Sequence, residues 1–192
     1  MALRRMLAGL VAVVALLGAA GCTTTGPNVA AVVGSTVITQ NQVEQASAGM
    51  TQIVGSDPNY TGTNITGFIL NSLIRKEVLT TGLATLGVSF TDEQRDQYWN
   101  SAMTADTADY ALRTDPRTRD AMAGFVDVQL VNAQLSDGTL NYDAVLAATA
   151  AVPVEVNPRY GTWDATQLVV TSLADGKPAG PLAVPTAFTA PA

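Results

Sequence analysis

Few side chains in this sequence could carry chemistry. Among 192 residues there is one cysteine, Cys22, and no histidine. Without imidazole, neither a Ser-His-Asp nor a Cys-His nucleophile can be assembled, and imidazole metal sites are excluded. Carboxylate chemistry remains, in which one acid protonates while a second acts as base or nucleophile. The nearest sets are Asp92/Glu93, Asp106/Asp109 and Asp115/Asp120. Asp92, Glu93 and Asp115 each stand where a helix is expected to begin, and the helix dipole already favours negative charge there. Catalysis would need two acids converging in one pocket with at least one pKa displaced. The sequence has no Gly-rich phosphate loop and no EF-hand spacing. The expectation is a non-enzyme that uses no nucleotide, metal or organic cofactor.

Cys22 has a different context. Arg4 and Arg5 precede an almost wholly apolar run from Met6 to Leu17, and Gly18-Ala19-Ala20-Gly21 leads into the cysteine. The run is shorter than the roughly 20 apolar residues a spanning helix needs, and its small-residue flank suits cleavage. The segment resembles the bacterial lipobox, usually Leu-Ala-Gly-Cys, with Ala19 where Leu is commonest. That resemblance implies a signal peptide over 1–21, palmitate-type acylation of Cys22, and a chain anchored at the outer face of the cytoplasmic membrane. An ordinary secretory signal beside an incidental cysteine is the competing reading. Acylation has independent support, because a lone thiol in an oxidising compartment is a liability unless capped. A diacylglycerol thioether caps it and supplies the two chains that stable anchoring requires.

Cleavage would leave about 170 residues, enough for one domain. Loss of Arg4 and Arg5 takes the formal charge from −6 to −8, since the leader holds no acid. So acidic a chain does not favour nucleic acid or an anionic lipid surface. Low charge with abundant Ala, Val and Thr indicates a folded core.

After a short tether over 22–28, Val29–Val33 reads as a buried strand. Gly34-Ser35 then turns the chain into Thr36-Val37-Ile38, a hairpin with Gly at the positive-φ position of a II′ turn. Thr39 and Gln42 have capping-box spacing, flanked by Ile38 and Val43 as a hydrophobic staple; the helix should run from Gln40 to about Met50. A second helix is expected over Ile65–Leu86, with Arg75, Lys76 and Glu77 on its wet side and Gly87 as its stop. Thr91-Asp92-Glu93-Gln94 repeats the capping box. Asp115-Pro116 is expected to open another helix, ended by Asp137-Gly138, and a shorter helix comes next over Tyr142–Ala150. Val152, Val154 and Val156 alternate with Pro153, Glu155 and Asn157, which marks an edge strand because Pro153 has no N–H. Gln167–Leu173 has the residues of a last strand. Asn59-Tyr60-Thr61 and Asn64-Ile65-Thr66 fit the glycosylation sequon by coincidence in a bacterial exported chain.

Two aromatic groups could bind a partner. Tyr98, Trp99 and Met103 share a face at helical spacing, and Phe125 lies on the stripe of the helix after Asp115. Tyr160 and Trp163 come after the edge strand. Each group can serve as an apolar contact surface for a client chain, although membership of the core is the favoured reading of both.

Two blocks of sequence resemble the extracytoplasmic folding factors of the SurA and PrsA type. VAAVVGSTVITQNQ over 29–42 is similar to that family's opening strand-turn-strand-helix. FILNSLIRKEVLTTGLATLGVSFTDEQ over 68–94 is similar to its second helix, through Leu73-Ile74, Val78-Leu79, Ala84, Gly87-Val88 and Thr91-Asp92-Glu93. Val152 to Asp164 looks like the strand that closes the module. Relatives often carry a parvulin prolyl isomerase of roughly 90 residues before that strand. Here Ala151 leads directly into Val152, and the histidines typical of parvulin sites are missing.

The resemblance therefore implies an α+β, mostly helical module, SurA N-terminal or trigger-factor-like, with a small sheet joining the hairpin to the C-terminal strand. It would span 29–164, with an extended tail over 165–192. It implies a chaperone or assembly factor that binds unfolded exported proteins without isomerase activity. A structural adaptor lipoprotein holding one dedicated envelope partner is the alternative.

Overall fold

A computed structural model describes residues 26–55, 57, 60, 64–102 and 107–171. Among them the chain forms six helices and two small antiparallel sheets, an α+β fold dominated by helix.

The N-terminal hairpin forms as its sequence dictates. Strands β1 (Val29–Val33) and β2 (Thr36–Thr39) pair antiparallel across Gly34-Ser35. Gly34 has φ +57° while Ser35 stays out of the left-handed region, as a II′ turn requires. Helix α1 (Gln40–Val54) then starts on the full capping box: the Gln42 N–H donates to the Thr39 hydroxyl, and the Thr39 N–H donates to Gln42 Oε1 at 2.7 Å. The staple residues Ile38 and Val43 are both buried.

Helix α2 (Ile65–Ala84) is the central element, packing on α1, on β1 and on several of the later helices and strands. Asn64, the sequon asparagine, is its N-cap and accepts the Gly67 N–H. At the other end the Gly87 N–H reaches Ala84 O and the Val88 N–H reaches Leu83 O, with Gly87 at φ +72°. This Schellman pair satisfies carbonyls the helix would otherwise leave open.

Helix α3 (Asp92–Ala102) opens on the second reciprocal box, Thr91 with Gln94. Helix α4 (Thr107–Thr114) was not expected from the sequence. Continuous helix then resumes only at Arg119, giving α5 (Arg119–Ser136), so the helix expected to open with Asp115 as N-cap and Pro116 at its first position begins three residues later. The reason is local. The Asp115 carboxylate accepts the Arg117 N–H and its guanidinium, and Asp115 O accepts the Thr118 N–H, which tightens residues 115–118 into a turn. Helix α6 (Tyr142–Ala150) is capped by Asn141.

Strand β3 (Val154–Val156) pairs antiparallel with β1 in the order β2-β1-β3, so the C-terminal strand joins the N-terminal hairpin and lies at an edge, with Pro153 just before it. A second hairpin comes next: β4 (Thr162–Asp164) with β5 (Val169–Thr171). Leu168, Val169 and Val170 are buried, so the folded domain runs through 171, and the tail expected from 165 is folded over its first seven residues. Residues 172–192, like 1–25 with Cys22, lie outside the described residues.

The β4–β5 hairpin is held against α2 by two polar side chains. Asn71 Oδ1 accepts the Val170 N–H at 2.7 Å, and Arg75 Nε donates to Leu168 O at 2.6 Å. Leu168 has φ +48°, a strained conformation for a branched residue, and is fully buried. Arg75 therefore does not belong to a wet face. It is 4 % exposed, and burial lowers its pKa to about 10. Lys76 and Glu77 beside it are half-buried.

The helices α2 and α5 cross at very close range. A Cβ built on Gly124 would stand 1.9 Å from Ser72 O, so only glycine allows the two backbones to meet there.

Candidate functional site

Of the carboxylates in the candidate sets, Asp92, Asp115 and Asp120 are each engaged by a cation. Asp92 and Glu93 occupy the first turn of α3, and Asp92 accepts from Arg95 Nη1 at 2.9 Å. Asp120 pairs with Lys76 at 2.8 Å, whereas Asp115 is gripped by Arg117. The side-chain and backbone donors of Arg117 hold the Asp115 carboxyl down at about 2, the opposite of what a general acid needs. Asp109 sits in the first turn of α4, and Asp106 lies outside the described residues. Among the described residues no three Cys, Asp or Glu side chains gather to hold a metal ion, and no helix is long and apolar enough to cross a membrane.

The aromatic candidates separate into two places. Trp99 is 6 % exposed, and with Met122 and Val126 it forms the apolar floor of a cavity of about 320 Å³ between α3, α4 and α5. Tyr98 is half-buried against the core beside it, and Met103 lies outside the described residues. Phe125 turns away to Phe68 on α2, ring centres 6.0 Å apart and tilted by 54°, so it serves the α2–α5 interface rather than the cavity.

Charge surrounds that floor. Arg95 Nε and Nη2 clamp the two oxygens of Asp127 at 2.7 and 3.1 Å. Asp127 is 1 % exposed; burial raises its carboxyl above the usual range, and Arg95 only partly offsets this. Arg113 donates Nη1 to Asp96 at 3.1 Å and stacks on Tyr110 at 5.5 Å. Arg119, the first residue of α5, lines the same cavity and has no ion-pair partner among the described residues. The sequence pattern missed these arginines because they lie on three different helices, and only the packing of α3, α4 and α5 brings them together.

The second place is the edge of β3. Val32 pairs with Glu155, the Gly34 N–H donates to Pro153 O, and the Asn157 N–H donates to Ala30 O. Residues 153, 155 and 157 thus turn their backbone groups toward β1. By the alternation of an antiparallel ladder, the N–H and C=O groups of Val154 and Val156 face the open side. No hydrogen bond from a described residue meets them there. On that side lies a cavity of about 240 Å³ lined by Val154, Val156, Pro158, Gly161, Thr162 and Trp163. Trp163 sits at the middle of β4 opposite Val170, half-buried. Tyr160 packs on the core nearby, and the Arg159 guanidinium stacks on its ring at 4.7 Å. Of the aromatic residues the sequence singled out, only Trp99 and Trp163 line these two cavities, one each. Val154 and Val156 were legible as strand but not as site.

A strand edge with no hydrogen-bond partner among the described residues, beside a cavity of mixed polar and apolar lining, can hydrogen-bond an extended backbone and take up its side chains. No family model, curated protein or solved structure matches the chain.

Proposed function

We propose that this chain is a membrane-anchored, non-catalytic chaperone or assembly factor that binds extended segments of unfolded exported proteins. Lipid on Cys22 would hold it at the outer face of the cytoplasmic membrane. The observation that supports binding is the edge of β3, open among the described residues, whose outward N–H and C=O groups at Val154 and Val156 adjoin the cavity beside Trp163. A client segment laid along this edge gains main-chain hydrogen bonds whatever its sequence, and alternate side chains enter the cavity. Affinity built this way is broad and weak, which suits capture and release without nucleotide. The resemblance of residues 29–42 and 68–94 to SurA-type modules supports the same reading independently.

The test is suppression of aggregation of chemically unfolded exported proteins at increasing concentrations of the chain. Val156→Pro removes an outward-facing donor and alters a side chain that lines the cavity, while it spares the hydrogen bonds to β1, so it should reduce suppression. Suppression across several unrelated clients, lost in Val156→Pro, is the expected result. A folded wild-type chain that protects no client would overturn the proposal. The short length of β3, three residues, favours as a second reading an adaptor that accepts one fixed strand from one partner; a single stoichiometric partner in a pull-down would select it.

A further inference from the structure

The cavity between α3, α4 and α5 is remote in sequence from the β3 edge and has a different chemistry. We infer that it is a binding site for a carboxylate carried on an apolar, preferably aromatic, body. The floor and the charge together carry the inference. Trp99, Met122 and Val126 present a desolvated apolar surface at the base of a cavity of about 320 Å³, at the lower end of the volumes that hold small ligands. Three guanidinium groups border it, against two carboxylates, Asp92 and Asp96. Arg95 is committed on every side, to Asp127 through Nε and Nη2 and to Asp92 through Nη1. Arg113 spends Nη1 on Asp96 and Asn100, and none of its other donors is used among the described residues. Arg119 forms no ion pair with any of them.

With Asp127 counted, three guanidinium groups face three carboxylates, and Arg119, exposed at the rim, is the one of the three with no ion-pair partner among the described residues. A dication would meet the Arg119 charge unfavourably, and a neutral apolar ligand would leave its donors to water. A single carboxylate matches both the charge and the planar fork of Arg119, since a guanidinium binds carboxylates in a bidentate manner. The ring or chain behind the carboxylate would then lie on Trp99.

Two sources share this chemistry, a free small-molecule acid and the C-terminal residue of a peptide chain. The experiment is calorimetric titration of the full-length chain in phosphatidylcholine nanodiscs with 3-phenylpropionate, with a short peptide ending in phenylalanine, and with the amides of both. Binding of either acid, with its amide weaker by about tenfold or more, is expected, since a charge-assisted hydrogen bond lost at a half-open site costs about that much. The tighter of the two acids identifies the source.

Arg119→Gln should lose about tenfold in affinity, whereas Arg119→Lys, which keeps the charge, should lose less. Arg119 holds no ion pair among the described residues, so both variants should fold as the wild type, checked by circular dichroism; Arg159→Gln, outside the cavity, should bind normally. Equal binding of acid and amide would overturn the inference. So would unchanged affinity in Arg119→Gln, or no acid bound more tightly than about 1 mM by the folded wild type.

Discussion

Gly124→Ala tests the packing of the whole domain through one methyl group. The added Cβ would lie 1.9 Å from the Ser72 carbonyl oxygen, 2.9 Å from its carbon and 3.0 Å from Lys76 Cβ. An ordinary carbon–oxygen contact is about 3.3 Å, so the shortfall is about 1.4 Å. Lys76 Cβ can shift a little, but Ser72 O is backbone in the middle of α2, which also carries α1, α6, β1 and β5. The two helices must separate, and overpacking of this kind costs up to about 3 kcal/mol. Alanine is the better helix former by about 1 kcal/mol, which offsets part of that. The net expectation is a loss of about 2 kcal/mol. For a domain of this size that lowers the thermal midpoint by about 4–8 °C. Thermal unfolding followed by circular dichroism, with a urea titration alongside, measures both quantities. A midpoint equal to or above that of the wild type would refute the reasoning, because helix propensity would then be the only term acting and the crossing would have room to spare.

Three further outcomes are expected. Asn71→Ala strips the buried Val170 N–H of its acceptor, at a cost of about 1–3 kcal/mol, and should speed hydrogen exchange at the Val170 amide before it affects the helices. Asp127→Asn should change how stability depends on pH. The buried Asp127 carboxyl has its folded pKa raised, so between about 4 and that raised value the folded chain keeps a proton that the unfolded chain has released, and stability falls as pH rises. Asp115, Asp137 and Asp164 have lowered values and act in the opposite sense: their contribution is present above the ordinary range and disappears as pH falls below it. Urea midpoints from about pH 4 to 7 should therefore decline in the wild type relative to Asp127→Asn; parallel curves would contradict the assignment. Thr39→Ala breaks the side-chain half of the α1 capping box and should cost about 1 kcal/mol, read from the same titration, with no change implying that the cap bonds are already matched by water.

What the sequence made legible was local. Thr39 with Gln42, Thr91 with Gln94, Gly87 and Gly34 each encode a backbone bond or a φ within five residues of themselves, and each does in the structure what its position implies. Pro153 was read as the mark of an edge, and β3 is one, although Pro153 lies just before the strand and turns its donorless nitrogen toward β1 rather than toward the open side. Arg75 did not yield to this logic. Its neighbours Lys76 and Glu77 suggested a solvated face, but the chain that covers it arrives 93 residues later, and periodicity along α2 contains no trace of that. The start of α5 was misplaced because Asp115 has two equivalent uses, capping a helix or closing a turn with Arg117, and only the second is realised. The cavity of Trp99 was half visible: the aromatic stripe on α3 was readable, whereas Arg113 and Arg119 became part of the site only through helix packing.

The pairing of β1 with β3 has a consequence for how the molecule comes into being. Val33 finds its partner in Val154, and the pins on the last hairpin bridge 93 and 99 residues. A ribosome or a secretion channel delivers the N-terminal hairpin first. At about 5–20 residues per second, β1 then waits about 6–24 s with one rim unmatched before its mate emerges. Throughout that interval the Gly34 N–H and the Ala30 carbonyl lack the partners that Pro153 and Asn157 later bring. The nascent chain thus passes through a long adhesive adolescence, in which its own first strand is the kind of exposed edge that the mature protein is proposed to shelter in others.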